Sequence, residues 1–321
     1  MKMDARCPLP RYPNGWFQVE YSDELDAGQV VPMHYFGRDL VLYRGEDGAP
    51  RALDAYCVHM GAHLGVGGEV IGNTLACPFH AWQYDDEGKC VHIPYASKIP
   101  AAAKEPCLKT WPCVEVNQMI WIWYHPHNDA PQWDPPVYAE CNDNTWSDFE
   151  TYDWVINTHP QEMAENSVDA AHFRYVHKAA DYPSDWTASY DGPLRHAWLE
   201  MKMDTPKGSV TGRIENGNDG PGQAWTRFTG ITDTFLLASI TPISRERVHV
   251  RFAFTQPKAD VDGERGGVAK AFVQEIVRQL NEDIPIWENK KYLHRIRLCD
   301  GDGPIMDIRH WFKQFLIDGA P

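Results

Sequence analysis

A chain of 321 residues with 43% hydrophobic content can bury a sizeable core and has room for two domains. Lys and Arg number 30 against 45 Asp and Glu, and the resulting net charge of -15 repels phosphate backbones and anionic lipid surfaces, which argues against nucleic acid as a partner. The opening MKMDARCPLPRYPNGW has no apolar leader and no run approaches the roughly 18 apolar residues of a membrane span, so the expected location is the cytoplasm.

From about Trp16 to Tyr124 the chain consists of short apolar or alternating runs, VVPMHYF, DLVLYRG, NTLACPF, CVEVN and MIWIWY, separated by Gly, Asn and Asp. They predict a small antiparallel β domain. The Pro-rich HPHNDAPQWDPPVYAECNDN that follows has little periodicity and marks the connection to a second domain, with the boundary near residue 126 and domains of 1–126 and 127–321. Beyond it FETYDWVI, GPLRHAWLEMKM, GSVTGRIE, TDTFLLASITPI and ERVHVRFAFTQP read as strands. QEMAENSVDAAHFRYVH reads as one helical stretch and about Gly267 to Lys291 as another. The expected fold class is α+β, with a mainly antiparallel sheet and few helices in the second domain.

The first domain holds two near-copies of one spacing: Cys57 and His59 one residue apart, then Cys77 and His80 two residues apart. Two Cys and two His are also what structural zinc takes, but zinc fingers usually keep the Cys in one pair and the His in another. Here each half supplies one of each. That pairing suits a Rieske 2Fe-2S cluster, with Cys57 and Cys77 on one iron and His59 and His80 on the other. Imidazole ligands raise the potential to roughly -150 to +300 mV, against about -400 mV for an all-Cys plant-type cluster. Such a site accepts an electron and passes it on. Gly61, Gly65, Gly67 and Gly68 let the loops approach the cluster, and Trp82 is placed to shield it from water. His63 lies outside both spacings and reads as a supporting loop side chain. The other six cysteines, Cys7, Cys90, Cys107, Cys113, Cys141 and Cys299, lack a paired spacing and read as free thiols.

The electron needs a destination, and ENSVDAAHFRYVH, Glu165 to His177, offers one. It presents Asn166, Asp169, His172 and His177, and two imidazoles in a chain that already carries an iron cluster suggest the His pair of a mononuclear iron site. On an ideal helix, positions five apart differ by about 140° in direction, so a widened or broken turn is needed for both rings to meet one metal. A 2-His-1-carboxylate site also requires an acid from elsewhere in the chain. RQLNEDIPIWENKKY supplies three, Glu282, Asp283 and Glu288, in a helical pattern that Pro285 is expected to disrupt around Asn281 to Ile284. Spacing does not choose among them.

The paired cluster motif, the run NxxDxxHxxxxH, the run EDIPIWENKKY and the tail GDGPIMDIRHWFKQF together resemble the Rieske non-haem iron oxygenases. The likeness is greatest to the branch containing the oxygenase component of 3-ketosteroid 9α-hydroxylase and the cholesterol 7-desaturases, and it extends from RYPNGWFQV to WFKQF. It implies that Asp283 joins His172 and His177 as iron ligand, and that Asn166 and Asp169 belong to the catalytic machinery. It further implies a head-to-tail homotrimer in which Asp169 links an iron ligand at His172 to the cluster ligand at the position of His80 in the next chain. No GxGxxG strand-turn-helix unit or flavin signature is present, so NAD(P)H enters only indirectly, through a separate reductase, a ferredoxin or both. The expected function is dioxygen-dependent hydroxylation of a hydrophobic, steroid-like substrate. The alternatives are attack on an aromatic ring, O- or N-demethylation, or a non-enzymatic Rieske or zinc protein in which His172 and His177 are structural.

Overall fold

Continuous apolar runs become central strands and alternating runs become half-exposed ones. In the computed structural model, which describes residues 6–178, 187–205 and 208–317, Met119–Tyr124 (MIWIWY) is buried at every position and lies between Gly15–Tyr21 and Cys113–Val116 in a three-stranded sheet. Val30–Tyr35, Arg38–Arg44, Pro50–Asp54 and Thr110–Trp111 form a four-stranded antiparallel sheet. Its first hairpin turns through Phe36 and Gly37, both left-handed at φ 54° and 65°, as a two-residue turn matched to strand twist requires. A third sheet, Glu69–Ile71, Thr74–Ala76, Gln83–Tyr84 and Cys90–His92, carries the second half of the cluster motif on the loop after Ala76. Cys57, Cys77, Leu64, Trp82 and Tyr84 share one buried core with Val41 and Tyr43, so the motif loops are anchored from below by packing.

These strands make up one compact unit, Trp16–Asp134; the other combines Met1–Gly15 with Pro135–Pro321. The division differs from the expected 1–126 and 127–321 at both ends. The Arg6 guanidinium donates to the carbonyls of Trp287 and Asn157, and the Cys7 N–H donates to Glu246, so the N-terminal segment is tied to the second unit. The first unit continues past residue 126 because Trp16 Nε1 donates to the Trp133 carbonyl at 2.6 Å. Proline spacing marks a loop, whereas these contacts decide which unit the loop belongs to.

The second unit is a seven-stranded sheet in the order Glu150–Ile156, Arg247–Thr255, Thr234–Ser244, Gln223–Thr229, Gly208–Asp219, Leu194–Thr205, Thr187–Asp191, antiparallel throughout. Ile156, Leu236, Ala238, Ile240, Val250, Phe252 and Phe254 on one sheet face pack against Val273, Leu280 and Trp287 of the long helix Gly266–Asn289. The strands Gln223–Thr229 and Thr187–Asp191 and the helix Ile305–Phe312 escaped the pattern reading: QAWTRFT and TASYD are short and polar, and the helix is only eight residues long. The architecture is the expected α+β one.

Two local expectations are corrected. The stretch expected as one helix is two, Pro160–Asn166 and Ala170–Tyr175, separated at Ser167 to Asp169. Gly303 accounts for part of that break's packing, since a Cβ there would lie 1.7 Å from the Val168 carbonyl oxygen. Pro285 does not interrupt its helix, which runs on to Asn289. Asp283 faces inward for a simpler reason: with Ala269, Val273, Leu280 and Trp287 it lies on the buried 3.6-residue stripe of that helix.

Candidate metal centres

In the first unit each cluster cysteine opens a turn of the same shape. The Gly61 N–H returns to the Cys57 carbonyl at 2.8 Å and the Ala81 N–H to the Cys77 carbonyl at 2.9 Å. Both closing residues are left-handed, at φ 75° and 53°; glycine adopts this freely, whereas at Ala81 it costs roughly 1–2 kcal/mol that the surrounding packing offsets. The turns bring the His59 and His80 rings to 4.7 Å between centroids. Both thiols are buried and both rings are half-buried, so the histidine side of the site meets solvent. His59 Nδ1 is buried with no hydrogen-bond partner, the condition of an atom whose partner is a metal. The Tyr84 hydroxyl lies 3.1 Å from Cys57 Sγ and donates to it when the sulfur is a thiolate. These residues therefore fit a Rieske cluster.

The expected supporting residues take distinct parts. Trp82 is buried and stacks on His59 at 4.5 Å with planes 6° apart, and its Nε1 donates to the Tyr95 hydroxyl at 2.8 Å. Gly68 and Gly65 permit close approach, because a Cβ would lie 2.1 Å from the Leu64 carbonyl oxygen and 2.9 Å from Pro32 respectively. Gly67, like Gly61, serves through its positive φ of 82°. His63 holds the loop from within: its Nδ1 accepts the Gly65 N–H at 3.1 Å.

In the second unit one ligand atom each from His172, His177 and Asp283 lie within 4.8 Å of one another. The last helical turn widens to allow this. The His172 carbonyl accepts from the Val176 N–H at 2.7 Å and again from the His177 N–H at 3.4 Å, an i to i+5 closure that ends the helix and swings His177 inward. His172 Nδ1 is held by the backbone carbonyl of Asp169 and His177 Nδ1 by Glu282 Oε2 at 3.0 Å. With both Nδ1 atoms occupied as donors, both Nε2 atoms are left to face the metal position, and His177 Nε2 lies 3.5 Å from Asp283 Oδ1. Asn166 Nδ2 donates to Asp283 Oδ2 at 3.1 Å and lies 3.3 Å from His172 Nε2, so it bridges two of the three ligands.

Burial pushes the Asp283 carboxyl up to about 6 and His172 below its ordinary value. A neutral imidazole and a carboxylate short of solvation both gain from a cation, so this donor set also fits its metal. Glu288 is turned elsewhere and accepts from the Asn157 backbone N–H and Nδ2 at 3.1 and 2.9 Å. The Asp169 carboxylate caps its helix by accepting the Ala171 N–H at 3.2 Å; within this chain its carbonyl, not its side chain, meets His172.

Two residues take supporting parts that no sequence signal marked, although Glu282 was one of the three candidate acids. Glu282 stands behind His177, with its other oxygen paired to Arg278. Arg309, from the helix Ile305–Phe312, grips Glu165 with two bonds of 2.9 Å and stacks on Tyr292 at 4.6 Å, fixing the helix that ends in Asn166. Only the tertiary fold brings Arg309 to a residue so distant in sequence.

Comparison with known proteins agrees with this geometry. The family described as the Rieske [2Fe-2S] domain matches residues 15–112, and the 3-Ketosteroid 9alpha-hydroxylase C-terminal domain matches residues 122–316. A probable 3-ketosteroid-9-alpha-monooxygenase oxygenase component of Rhodococcus rhodochrous is 31% identical, over 98% of this chain and 83% of that protein. The cholesterol 7-desaturase of Caenorhabditis elegans is 31% identical over 97% of this chain and 78% of its own length. Among solved structures, NdmA of Pseudomonas putida with caffeine shares the fold at TM-score 0.75 and 20% identity, covering 94% of each chain. Dicamba monooxygenase bound to dicamba does so at TM-score 0.71 and 20% identity, over 94% of this chain and 97% of that one. A Rieske 2Fe-2S domain followed by a catalytic domain with a mononuclear iron site, matched along nearly its whole length, places the chain among the Rieske non-haem iron oxygenases, in the family of the 3-ketosteroid 9α-hydroxylase oxygenase component.

Proposed function

We propose that the protein is the terminal oxygenase component of a multicomponent monooxygenase that hydroxylates a hydrophobic, steroid-like substrate. Electrons from NAD(P)H reach it through a separate reductase, with or without a ferredoxin. The observation that carries this reading is the convergence of His172, His177 and Asp283, the last of them on the helix whose apolar stripe packs against Leu236, Ala238, Ile240 and Phe252. Bound there, iron would supply the activation of dioxygen, and the cluster an external electron. The chain's own groups orient the ligands. His177 and His172 are fixed through their Nδ1 atoms, and Asn166 holds Asp283 in place.

The working assembly in this reading is a head-to-tail homotrimer, with the cluster of one chain beside the iron of the next. Asp169 then links His172 to His80 of the partner subunit. Val58, Met60, Phe79 and Tyr95 support it: these large apolar side chains are exposed around His59 and His80, where an electron-transfer contact must close. Among the described residues no helix is long and apolar enough to cross a membrane, and a cytoplasmic location remains part of the proposal.

Oxygen uptake driven by a surrogate reductase and NADH, across a panel of 3-ketosteroids, sterols and methoxylated aromatics, tests the reading. It predicts substrate-dependent uptake with a hydroxylated steroid as product. Uptake confined to methoxylated aromatics, with formaldehyde released, would replace steroid hydroxylation by demethylation.

A further inference from the structure

The face of the seven-stranded sheet that packs on the iron-site helix is apolar at one end and carries a buried cation at the other. The paired residues Arg195, Asn218, Ala224, Ala238, Phe252 and Tyr152 form one rung across six strands, and directly paired residues project on the same face. Ala224, Ala238, Phe252 and Tyr152 pack with Leu280 and Trp287 of the Asp283 helix, so Arg195 belongs to that face as well. The helix ending in Asn166 packs on the strand of Ala238. Arg195 stands three strands away, roughly 14 Å at the usual strand spacing. The small side chains of Ala224 and Ala238 lie between.

Arg195 is 2% exposed. Its Nη1 donates to Asn216 Oδ1 at 2.8 Å and Asn218 Oδ1 at 3.2 Å, while its Nε and Nη2 have no hydrogen-bond partner. The phenol of Tyr190, directly paired with Arg195 across the neighbouring strand, interacts with the guanidinium without satisfying Nε and Nη2 by hydrogen-bond geometry, and among the described residues no carboxylate is coupled to it. Two acids pair with the adjacent Leu194: Asp219 is turned to Tyr138 and Gln223, and Asp191 is exposed. A desolvated guanidinium without a counter-anion is strongly unfavourable. The two nitrogens left open, Nε and Nη2, form the side edge of the guanidinium, the fork whose two parallel N–H bonds match a carboxylate.

We propose that Arg195, positioned by Asn216 and Asn218, receives a carboxylate of the substrate, which is therefore an apolar polycyclic or long-chain acid oriented with its far end toward His172, His177 and Asp283. This deepens the oxygenase reading and rests on it for the orientation. The test reads binding, so that it stands apart from turnover. Holoprotein is titrated calorimetrically with cholanate, with 2-naphthoate and with the primary amide of each. Wild type is expected to bind at least one acid about tenfold or more tightly than its amide. Arg195→Gln should abolish the difference and, by removing an uncompensated buried charge, raise the melting temperature of the ligand-free protein. Asn218→Asp offers a second route: it places a carboxylate on Arg195 from within, and should stabilise the free protein and remove the acid preference together. Equal binding of acids and amides, failure of both acids to bind, or a lowered melting temperature for both variants overturns the proposal. If the acid preference holds but no ligand supports oxygen uptake, the orientation toward His172, His177 and Asp283 fails and the anion site stands.

Discussion

Glu282 is the least expected participant, and replacing it tests whether the iron site depends on what stands behind its ligands. Its Oε2 accepts from His177 Nδ1 at 3.0 Å, and Arg278, itself bonded to Glu275 at 2.5 and 2.8 Å, holds its other oxygen. If Asp283 is the iron ligand, as the family resemblance implies, and Glu282 has no further part, Glu282→Ala leaves iron and oxygenation intact. The structure predicts otherwise, because a carboxylate behind a ligating imidazole fixes both tautomer and ring plane, and such partners affect metal affinity by about 10–100-fold. Glu282→Gln keeps an acceptor oxygen but loses the charge, so its loss should lie near the lower end of that range. Glu282→Ala loses both and belongs near the upper end. Because Glu282 is at the surface, salt should narrow both gaps. The assay is competition for Fe(II) or Co(II) between metal-depleted mononuclear sites and a chelating dye, with the cluster spectrum as an internal check on folding. Glu288→Gln serves as control, since Glu288 bonds only Asn157 among these groups. Affinities for both Glu282 variants within about twofold of wild type would refute the orienting role.

Asp283→Ala removes the one carboxylate facing both imidazoles, so it should abolish mononuclear iron and oxygenation while the visible cluster spectrum persists; retained iron would reassign the ligand. Asp169→Asn keeps the helix cap on Ala171, because Asn caps as well as Asp, so stability should change by about 0.5 kcal/mol or less. Both metals should remain bound, while single-turnover oxidation of the reduced cluster slows by orders of magnitude, and a normal rate would remove Asp169 from the electron path. His159 is buried and neutral, accepting from the Gln161 N–H at 3.2 Å and bonding the Pro10 carbonyl at 3.1 Å, and burial lowers its pKa from 6.5 to about 4. Its folded pKa lies below the unfolded one, so its stabilising share is complete above pH 6.5 and is lost as pH falls toward 4. The loss is about 3 kcal/mol by linkage. Urea unfolding of wild type and His159→Gln across that window should show the wild type declining more steeply; parallel curves would contradict the assignment.

Much of the site was legible because its chemistry is compressed into short runs. Cys57, His59, Cys77 and His80 lie in one stretch, and His172 with His177 in another, so residue type and spacing alone point to metals. The carboxylate was harder, since three acids share one helix and the sequence cannot say which one the tertiary packing buries. The buried stripe of Ala269, Val273, Leu280 and Trp287 selects Asp283 once the helix is seen to pass through Pro285. The supporting roles of Glu282, Arg309 and Arg195 were illegible for a common reason. Their importance lies in what the fold sets against them, and a lone charged residue carries no mark of its distant partner. Among the strands, the apolar runs were read correctly, whereas Gln223–Thr229 was missed because a strand in the middle of a sheet can keep polar residues when both neighbours are supplied by other segments.

Two iron centres of different kinds in one chain are tested most directly by metal analysis with spectroscopy on the same purified sample. The expected result is three irons and two acid-labile sulfides per chain, a brown protein whose reduced cluster gives a Rieske-type paramagnetic signal, and a separate high-spin Fe(II) that disappears in Asp283→Ala. Two irons without the separate high-spin centre would leave an electron carrier rather than an oxygenase, and a colourless protein holding stoichiometric zinc would contradict both centres.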